Sequence, residues 1–297
     1  MFVHAADCGR VAKVGALVEN NAASFSHYSN AKGIAMASSD KIQVTLADGI
    51  KRITINRPER RNAVDTETIK LLHEAIQRSA EDDSRVIILT GAGDAFCAGA
   101  DLQLSSGHDI HNVDVTASLR EHTNPTVVAM RQLAKPIIAR IHGHAVGVGC
   151  NYALACDLLI ASEQAKFAQI FVKIGLMPDG GSTYFLPRLV GYHKAFELMA
   201  TGDMLSAQEA LSLGLVNRVV PYEELDATVD AMAARLAASP GVALAKIKAG
   251  LNYGEKNDLA AALEFEAVNQ AACFRSEDFR EGVAAFLEKR KANFKGK

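Results

Sequence analysis

The stretch Pro136–Ile137–Ile138–Ala139–Arg140–Ile141, running on through His142–Gly143–His144–Ala145–Val146–Gly147–Val148–Gly149–Cys150–Asn151 to Ala155–Cys156–Asp157–Leu158–Leu159–Ile160–Ala161, decides the fold of this chain. Its first six residues form an apolar strand. A glycine turn follows, then a helix over Gly149–Ala155, then a second strand over Leu158–Ala161. A short third strand, Lys166–Phe167–Ala168, lies just beyond. Strand and helix alternate too tightly for a doubly wound sheet. The pattern predicts an α/β stack of strand–strand–helix units.

The same rhythm extends outward. Upstream, Ile42, Val44 and Leu46 alternate with polar residues, as do Ile53 and Ile55, and Asp48–Gly49 between them is a hairpin signal. Asp65 is an N-cap for a helix reaching Ala80, with Ile69, Leu72, His73 and Ile76 on one face. Val86–Ile87–Ile88–Leu89–Thr90 is continuously apolar, the mark of a strand covered on both faces. Thr116–Gln132 is a bridging helix. Downstream of residue 195 the chain reads as mainly helical. Ser206 and Glu209 form a capping box ended by Gly214, and further helices are expected over Val229–Ala237, Ala243–Asn252, Leu259–Phe274 and Asp278–Asn293. Three regions follow: an extension over 1–37, an α/β core over 38–200 and a helical region over 201–297. The extension lacks periodicity and reads either as loosely ordered or as lying upstream of a true start at Met36.

Composition narrows the function classes. Hydrophobic residues make up 49% of the 297, enough for a sizeable core. The net charge of −2, from 32 basic and 34 acidic side chains, argues against a general nucleic-acid binder. The five cysteines (Cys8, Cys97, Cys150, Cys156 and Cys273) have neither metal-site spacing nor a disulfide pattern, which suits a reducing cytoplasmic setting. The longest apolar stretches are broken by Asp157, Glu163 or Lys166, so no membrane span is expected.

Three segments carry chemistry. In Phe96–Cys97–Ala98–Gly99–Ala100–Asp101–Leu102 the glycine permits a twist that turns the Ala100 N–H outward. In the turn from Gly143 to Asn151, unpaired N–H groups at the helix start favour a negative oxygen. In Ile174–Gly175–Leu176–Met177–Pro178–Asp179–Gly180–Gly181 a carboxylate sits among Phe171, Leu176, Met177, Tyr184 and Phe185, where desolvation raises its pKa. Each alone has a plain alternative: a loop glycine, tight helix packing, a turn-forming Asp. His142 and His144 lack metal-ligand companions, Ser182 and Thr183 lack an adjacent base, and Asp157 reads as structural.

Together, and with Ile55–Asn56–Arg57–Pro58, Arg61–Asn62–Ala63, Ile141–His142–Gly143, Ala155–Cys156–Asp157, Gly175–Gly191 and Phe286–Leu287–Glu288–Lys289–Arg290–Lys291, the segments resemble the crotonase (enoyl-CoA hydratase/isomerase) superfamily over residues 40–297. The resemblance implies a crotonase (ClpP-like) fold and homotrimers or dimers of trimers. It implies a coenzyme A thioester as substrate, with no separate cofactor or metal. The thioester oxygen would be held by the N–H groups of Ala100 and Val148. Ala63, Ala98, Asp101, Leu102 and Phe171 would line the substrate. Arg57, Arg60 and Arg61 form a local basic cluster able to meet its phosphates, with Arg57 and Arg61 the chosen contacts, and the resemblance implies that Phe286 and Lys289, from the same or a neighbouring subunit, would cover the nucleotide. The two glutamates of family hydratases fall on Asn151 and Phe171, neither of which has a useful proton. Asp179 instead matches the carboxylate of an isomerase branch that includes enoyl-CoA isomerases and ring-1,2-epoxyphenylacetyl-CoA isomerases of phenylacetate catabolism, a likeness Thr123–Asn124–Pro125 strengthens. The resulting expectation is an isomerase that shifts a double bond, or rearranges a ring epoxide, through one Asp. A hydratase with another base and a non-catalytic acyl-CoA-binding homologue are the alternatives.

Overall fold

The computed structural model describes residues 34–35, 39–102 and 114–297. The expected extension over 1–37 therefore lies outside the described residues, apart from a two-residue strand β1 (Ile34–Ala35).

Strands β2 (Ile42–Ala47) and β3 (Ile50–Ile55) form the expected hairpin. Asp48 and Gly49 both take positive φ, 52° and 74°, the geometry of a two-residue turn whose twist matches the strands. Helix α1 (Thr66–Arg78) starts where Asp65 accepts from the Thr68 N–H. Then β4 (Val86–Gly91) enters beside β3. Helix α2 (Val115–Ser118), a π-turn over Leu119–Thr123 and α3 (Asn124–Gln132) make up the bridging helix.

From here the chain alternates between two sheets. Strand β5 (Ile137–Ile141) joins the first and β6 (His144–Val146) the second. Helix α4 (Val148–Ala155) leads back to β7 (Leu158–Ser162) in the first sheet and then β8 (Lys166–Ala168) in the second. The bend between β5 and β6 falls at Gly143, where a Cβ would lie 2.0 Å from the Asp94 carbonyl oxygen, so no larger residue fits. After a 3₁₀ turn over Ile170–Ile174 come α5 (Ser182–Val190), α6 (Tyr192–Thr201), β9 (Leu205–Ser206), α7 (Ala207–Ser212), β10 (Arg218–Val220), α8 (Leu225–Ala237), α9 (Gly241–Gly254), α10 (Leu259–Phe274) and α11 (Glu277–Leu287).

The first sheet has the order β1-β2-β3-β4-β5-β7-β10, parallel from β3 onward; the second has the order β6-β8-β9. Alternate residues of the central strands feed two cores. Ile87, Leu89, Ile137, Ala139 and Ile141 face the main core with α1, α3 and α4. Val86, Ile88, Ile138 and Ile160 face Leu225, Val229 and Ala233 of α8. Each such side chain contributes about 1.5–3 kcal/mol on burial, which explains why β4 is apolar throughout rather than alternating.

The last third is mainly helical, as expected, with β10 extending the first sheet and α8 covering its second face. The structure departs from the sequence expectation in two places. His144–Val146, expected within a turn, is a strand. The last helix ends at Leu287 rather than Asn293: Lys289 takes φ 55° and the Arg290 N–H bonds back to the Ala285 carbonyl, closing a left-handed C-terminal cap.

Helix α4 is buried over all eight residues, and its first turn is pressed onto the Cys97 backbone. A Cβ at Gly149 would stand 2.3 Å from the Cys97 carbonyl oxygen and 2.7 Å from its Sγ. Gly149→Ala should therefore lower the urea midpoint by an amount equivalent to about 1–3 kcal/mol without changing the m-value.

Candidate active site

The site is built where three segments meet. The first is held by a parallel bridge between Val64 and Ala100. Val64 donates to the Gly99 carbonyl (2.8 Å) and accepts from the Asp101 N–H (2.9 Å), so the Ala100 N–H points away from it. Ala100 itself is exposed. Asn62, fully buried, pins the neighbouring loops: it accepts from the Arg57 N–H and donates to the carbonyls of Ala92 and Ala95.

The second segment is the start of α4. Gly147 takes φ 56°, ψ −130°, a conformation a side chain resists, and so turns the chain from β6 into the helix. The Ala100 and Val148 N–H groups find no carbonyl partner among the described residues. The two turns touch: a Cβ at Gly147 would lie 3.8 Å from the Gly99 Cα and 3.9 Å from the Phe171 Cζ. Two main-chain donors without a carbonyl partner thus belong to touching turns beside the Phe171 ring, one of them at the positive end of a helix.

The third segment is the Asp179 turn. Gly180 packs on α4, where a Cβ would meet Val148 Cγ2 at 3.2 Å and Asn151 Cβ at 3.5 Å. The Asn151 amide donates to the Asp179 carbonyl (2.8 Å), which also accepts from the Ser182 N–H (3.2 Å). Among the described residues the Asp179 carboxyl makes no such bond. Its Oδ1 is buried without a hydrogen-bond partner there, and desolvation raises its pKa above the usual carboxylate range. Beside it on α4, Tyr152 is fully buried, and burial pushes its phenol far up, with Asp179 adding to the shift.

The remaining candidates divide. Asp101 and Ala63 are drawn to Arg57: its guanidinium bonds the Ala63 carbonyl and the Asp101 carboxylate (2.8 Å), with Asp65 at 3.4 Å. Arg57 is buried and already neutralised, so its expected phosphate contact does not fit; it fastens the Ala100 strand instead. Arg61 stays exposed, while its carbonyl accepts from the Ala98 N–H. Leu102 is exposed just past the Ala100 bridge. Phe286 and Lys289 are not brought to the Asp179 turn. Phe286, 82% exposed, lines an open apolar groove of about 1520 Å³ between α9, α10 and α11, and Lys289 follows α11. Gln169, which sequence reasoning did not single out, donates to the side-chain amide oxygen of Asn151 (2.8 Å) and is nearly fully buried. Its signal was faint: one amide between a short strand and an apolar run.

The sequence matches the model of the enoyl-CoA hydratase/isomerase family over residues 45–297. The chain belongs to that family. It is 40% identical over 256 residues to a probable enoyl-CoA hydratase of Rhodobacter capsulatus, covering 86% of this chain and 98% of that one. It is equally 40% identical, over 257 residues, to the 1,2-epoxyphenylacetyl-CoA isomerase of Escherichia coli, covering 84% and 96%. The crystal structure of an enoyl-CoA hydratase from Bacillus anthracis superposes with a TM-score of 0.82 at 34% identity, over 86% of this chain and all of that one. The α/β crotonase fold, with two sheets and C-terminal helices, is therefore shared with family hydratases, and an acyl-CoA ester is the family's substrate class. Relatives named for hydration and for isomerisation stand at the same identity, so the distinction must come from the site.

An unpartnered buried carboxylate favours its protonated form in the folded state. At neutral pH Asp179 therefore subtracts from stability, by an amount that shrinks as pH falls from its raised folded pKa toward the unfolded value of 3.8. Asp179→Asn should raise the melting temperature at pH 7, and the gain should disappear in acid below the unfolded pKa.

Proposed function

We propose that this enoyl-CoA hydratase/isomerase family member is an acyl-CoA isomerase working through a single carboxylate. The reading is carried by Asp179, a desolvated carboxylate without a hydrogen-bond partner, set across α4 from two unpaired main-chain donors. At 151 and 171, where the resemblance places the hydratase carboxylates, the chain has an amide and a phenyl ring. Water addition needs one group to activate the water and another to handle the proton at C2. An allylic shift needs only one base.

In the proposed reaction the thioester oxygen of a 3-enoyl-CoA accepts from the Ala100 and Val148 N–H groups. Asp179 takes a proton from C2, and the electron pair spreads over a dienolate whose charge rests on that oxygen. The same carboxyl returns the proton to C4, moving the double bond from C3–C4 to C2–C3. The protein ends unchanged. Each hydrogen-bond donor to such an oxyanion contributes on the order of 3 kcal/mol. The Phe171 ring beside Gly147 suits an acyl chain and an aromatic-derived acyl group alike; the name of the Escherichia coli relative keeps the ring-epoxide substrate as a second reading. Exposed Arg61 is the cation offered to the nucleotide. Phe286 and Lys289 would reach a nucleotide from a neighbouring subunit of a homotrimer, assembled through the apolar faces of α9–α11, where Ile247, Leu251 and Phe286 are all more than half exposed. A cytoplasmic setting fits the four unpaired cysteines among the described residues; no helix there is long and apolar enough to cross a membrane.

Purified protein should convert a 3-enoyl-CoA to its 2-enoyl isomer, followed by absorbance of the conjugated thioester. Asp179→Asn should lose roughly a hundredfold or more in kcat while still binding the ester. Hydration of crotonyl-CoA at a rate comparable to isomerisation, or full activity of Asp179→Asn, would reject the assignment. In sedimentation the wild type should run at three or six chain masses, and Leu251→Lys at a smaller one.

A further inference from the structure

We infer that Asn151 and Gln169 form a relay that positions the base, holding the Asp179 backbone so that its carboxyl stays without a donor. The inference rests on the isomerase reading of Asp179. Three amide groups lie in line: the Gln169 Nε2 donates to the Asn151 Oδ1 at 2.8 Å, and the Asn151 Nδ2 donates to the Asp179 carbonyl at 2.8 Å. Both side chains are deeply buried, Asn151 at 0% and Gln169 at 3% exposure.

The direction of the relay is dictated from its Asp179 end. A main-chain carbonyl only accepts, so the amide nitrogen of Asn151 must face it. The Asn151 oxygen is then left toward Gln169, which must present its own nitrogen. The oxygen of Gln169 is stranded at the end of the line, and it is indeed buried without a partner. Leaving a polar atom so costs about 1–3 kcal/mol.

The relay grips the one part of Asp179 that can be held without altering its carboxyl. A donor to the carboxylate would lower its basicity. A donor to the carbonyl fixes the Cα and leaves the side chain to the substrate. Gly180 and Gly181 follow with φ of 57° and 88°, and five of the seven residues from Val172 to Pro178 are exposed with side chains: Val172, Lys173, Ile174, Leu176 and Met177. Across that span, the hydrogen bond that ties Asp179 to α4 is the one from Asn151. Asn151 is also neutral. A carboxylate at 151 would oppose the Asp179 carbonyl, acceptor against acceptor, and loosen the turn. In the relay Asn151 is a positioning residue, acting through its bond to the Asp179 carbonyl.

The test measures isomerisation of a straight-chain 3-enoyl-CoA by wild type, Asn151→Ala, Asn151→Asp, Gln169→Leu, the Asn151→Ala/Gln169→Leu double variant and Asp179→Asn. Displacing a reacting group by about 1 Å costs up to a hundredfold, so kcat of Asn151→Ala should fall tenfold to a hundredfold by that measure, with KM held within about twofold. Asn151→Asp, close to the same shape, should fall at least as far. Gln169→Leu should fall less. The double variant should match Asn151→Ala, because Gln169 reaches Asp179 through Asn151. Unchanged kcat in Asn151→Asp, or independent additive losses in the double variant, overturns the relay while Asp179→Asn remains inactive. An active Asp179→Asn overturns the base assignment itself, and the relay with it.

Discussion

The close approach of the α4 N-terminus to the Phe96–Ala100 turn is the constraint on which the site depends. Two main-chain donors can serve one oxygen only if their segments nearly touch, and side chains stand in the way. At Gly149 a single methyl would overlap the Cys97 carbonyl, and at Gly147 the nearest atom of the facing turn is the Gly99 Cα. The contact is held from both sides. The Val64 bridge and the buried Arg57–Asp101 pair fix one strand, while eight fully enclosed residues fix the helix. Donors set this way need no reorganisation when charge develops on the substrate, and their low-polarity surroundings strengthen each bond.

Carboxylates in this chain differ by what surrounds them rather than by type. Burial works to raise the pKa of Asp65, but hydrogen bonds from Lys41 and Thr68 and the charge of Arg57 overcome it and hold it at about 2. Asp82 is brought to about 2 in the same way by Lys51 and Ser84. These are acids held ionised for structure. At Asp179 burial acts alone, and the pKa rises. The composition of the oxygen-binding pair matters here as well. A lysine or arginine in place of the two neutral N–H groups would stabilise an enolate, but it would also pull the nearby carboxylate down and weaken it as a base. Main-chain donors stabilise the oxygen without a full charge. A stronger base and a held oxygen are thus compatible, and the destabilising carboxylate is the cost.

Much of the architecture was legible because it rests on local pattern. Alternation exposed the β2–β3 hairpin, the positive-φ pair Asp48–Gly49 supplied its turn, and the unbroken apolar run of β4 announced a strand covered twice. The second sheet was only partly legible. Its strands are two or three residues long, too short for a period to register, so β6 passed for a turn while β8 was read from Lys166–Ala168. The end of α11 was misjudged because Lys289, with no glycine to mark it, adopts the left-handed cap. At the site, the glycine turns and Asp179 stood out in sequence. Arg57 did not reveal its role, since its partner Asp101 lies 44 positions away and an arginine beside two others looks like a surface cluster. The Gln169–Asn151 bond was hidden for the same reason: a contact across 18 residues between two unremarkable amides leaves no trace in composition or spacing.

The C-terminal helices raise a separate energetic question. Phe286, Leu287, Leu251, Ile247 and Leu263, which line one groove, each leave more than half of their surface in water, in one chain whose central strands bury nearly everything they carry. Burial of such side chains is worth about 1.5–3 kcal/mol apiece, so an isolated subunit forgoes a sizeable fraction of a typical domain's net stability on this face alone. Large contiguous apolar patches of this kind mark interaction surfaces. The α/β layers therefore account for the placement of Asp179 and its two donors, whereas α9–α11 account for little within their own subunit. Their sequence makes physical sense if the apolar groove is closed by another copy. The chain then carries two independent design constraints, a tightly packed interior that fixes α4 against the Asp179 turn and an exterior whose apolar side chains have no cover within their own subunit.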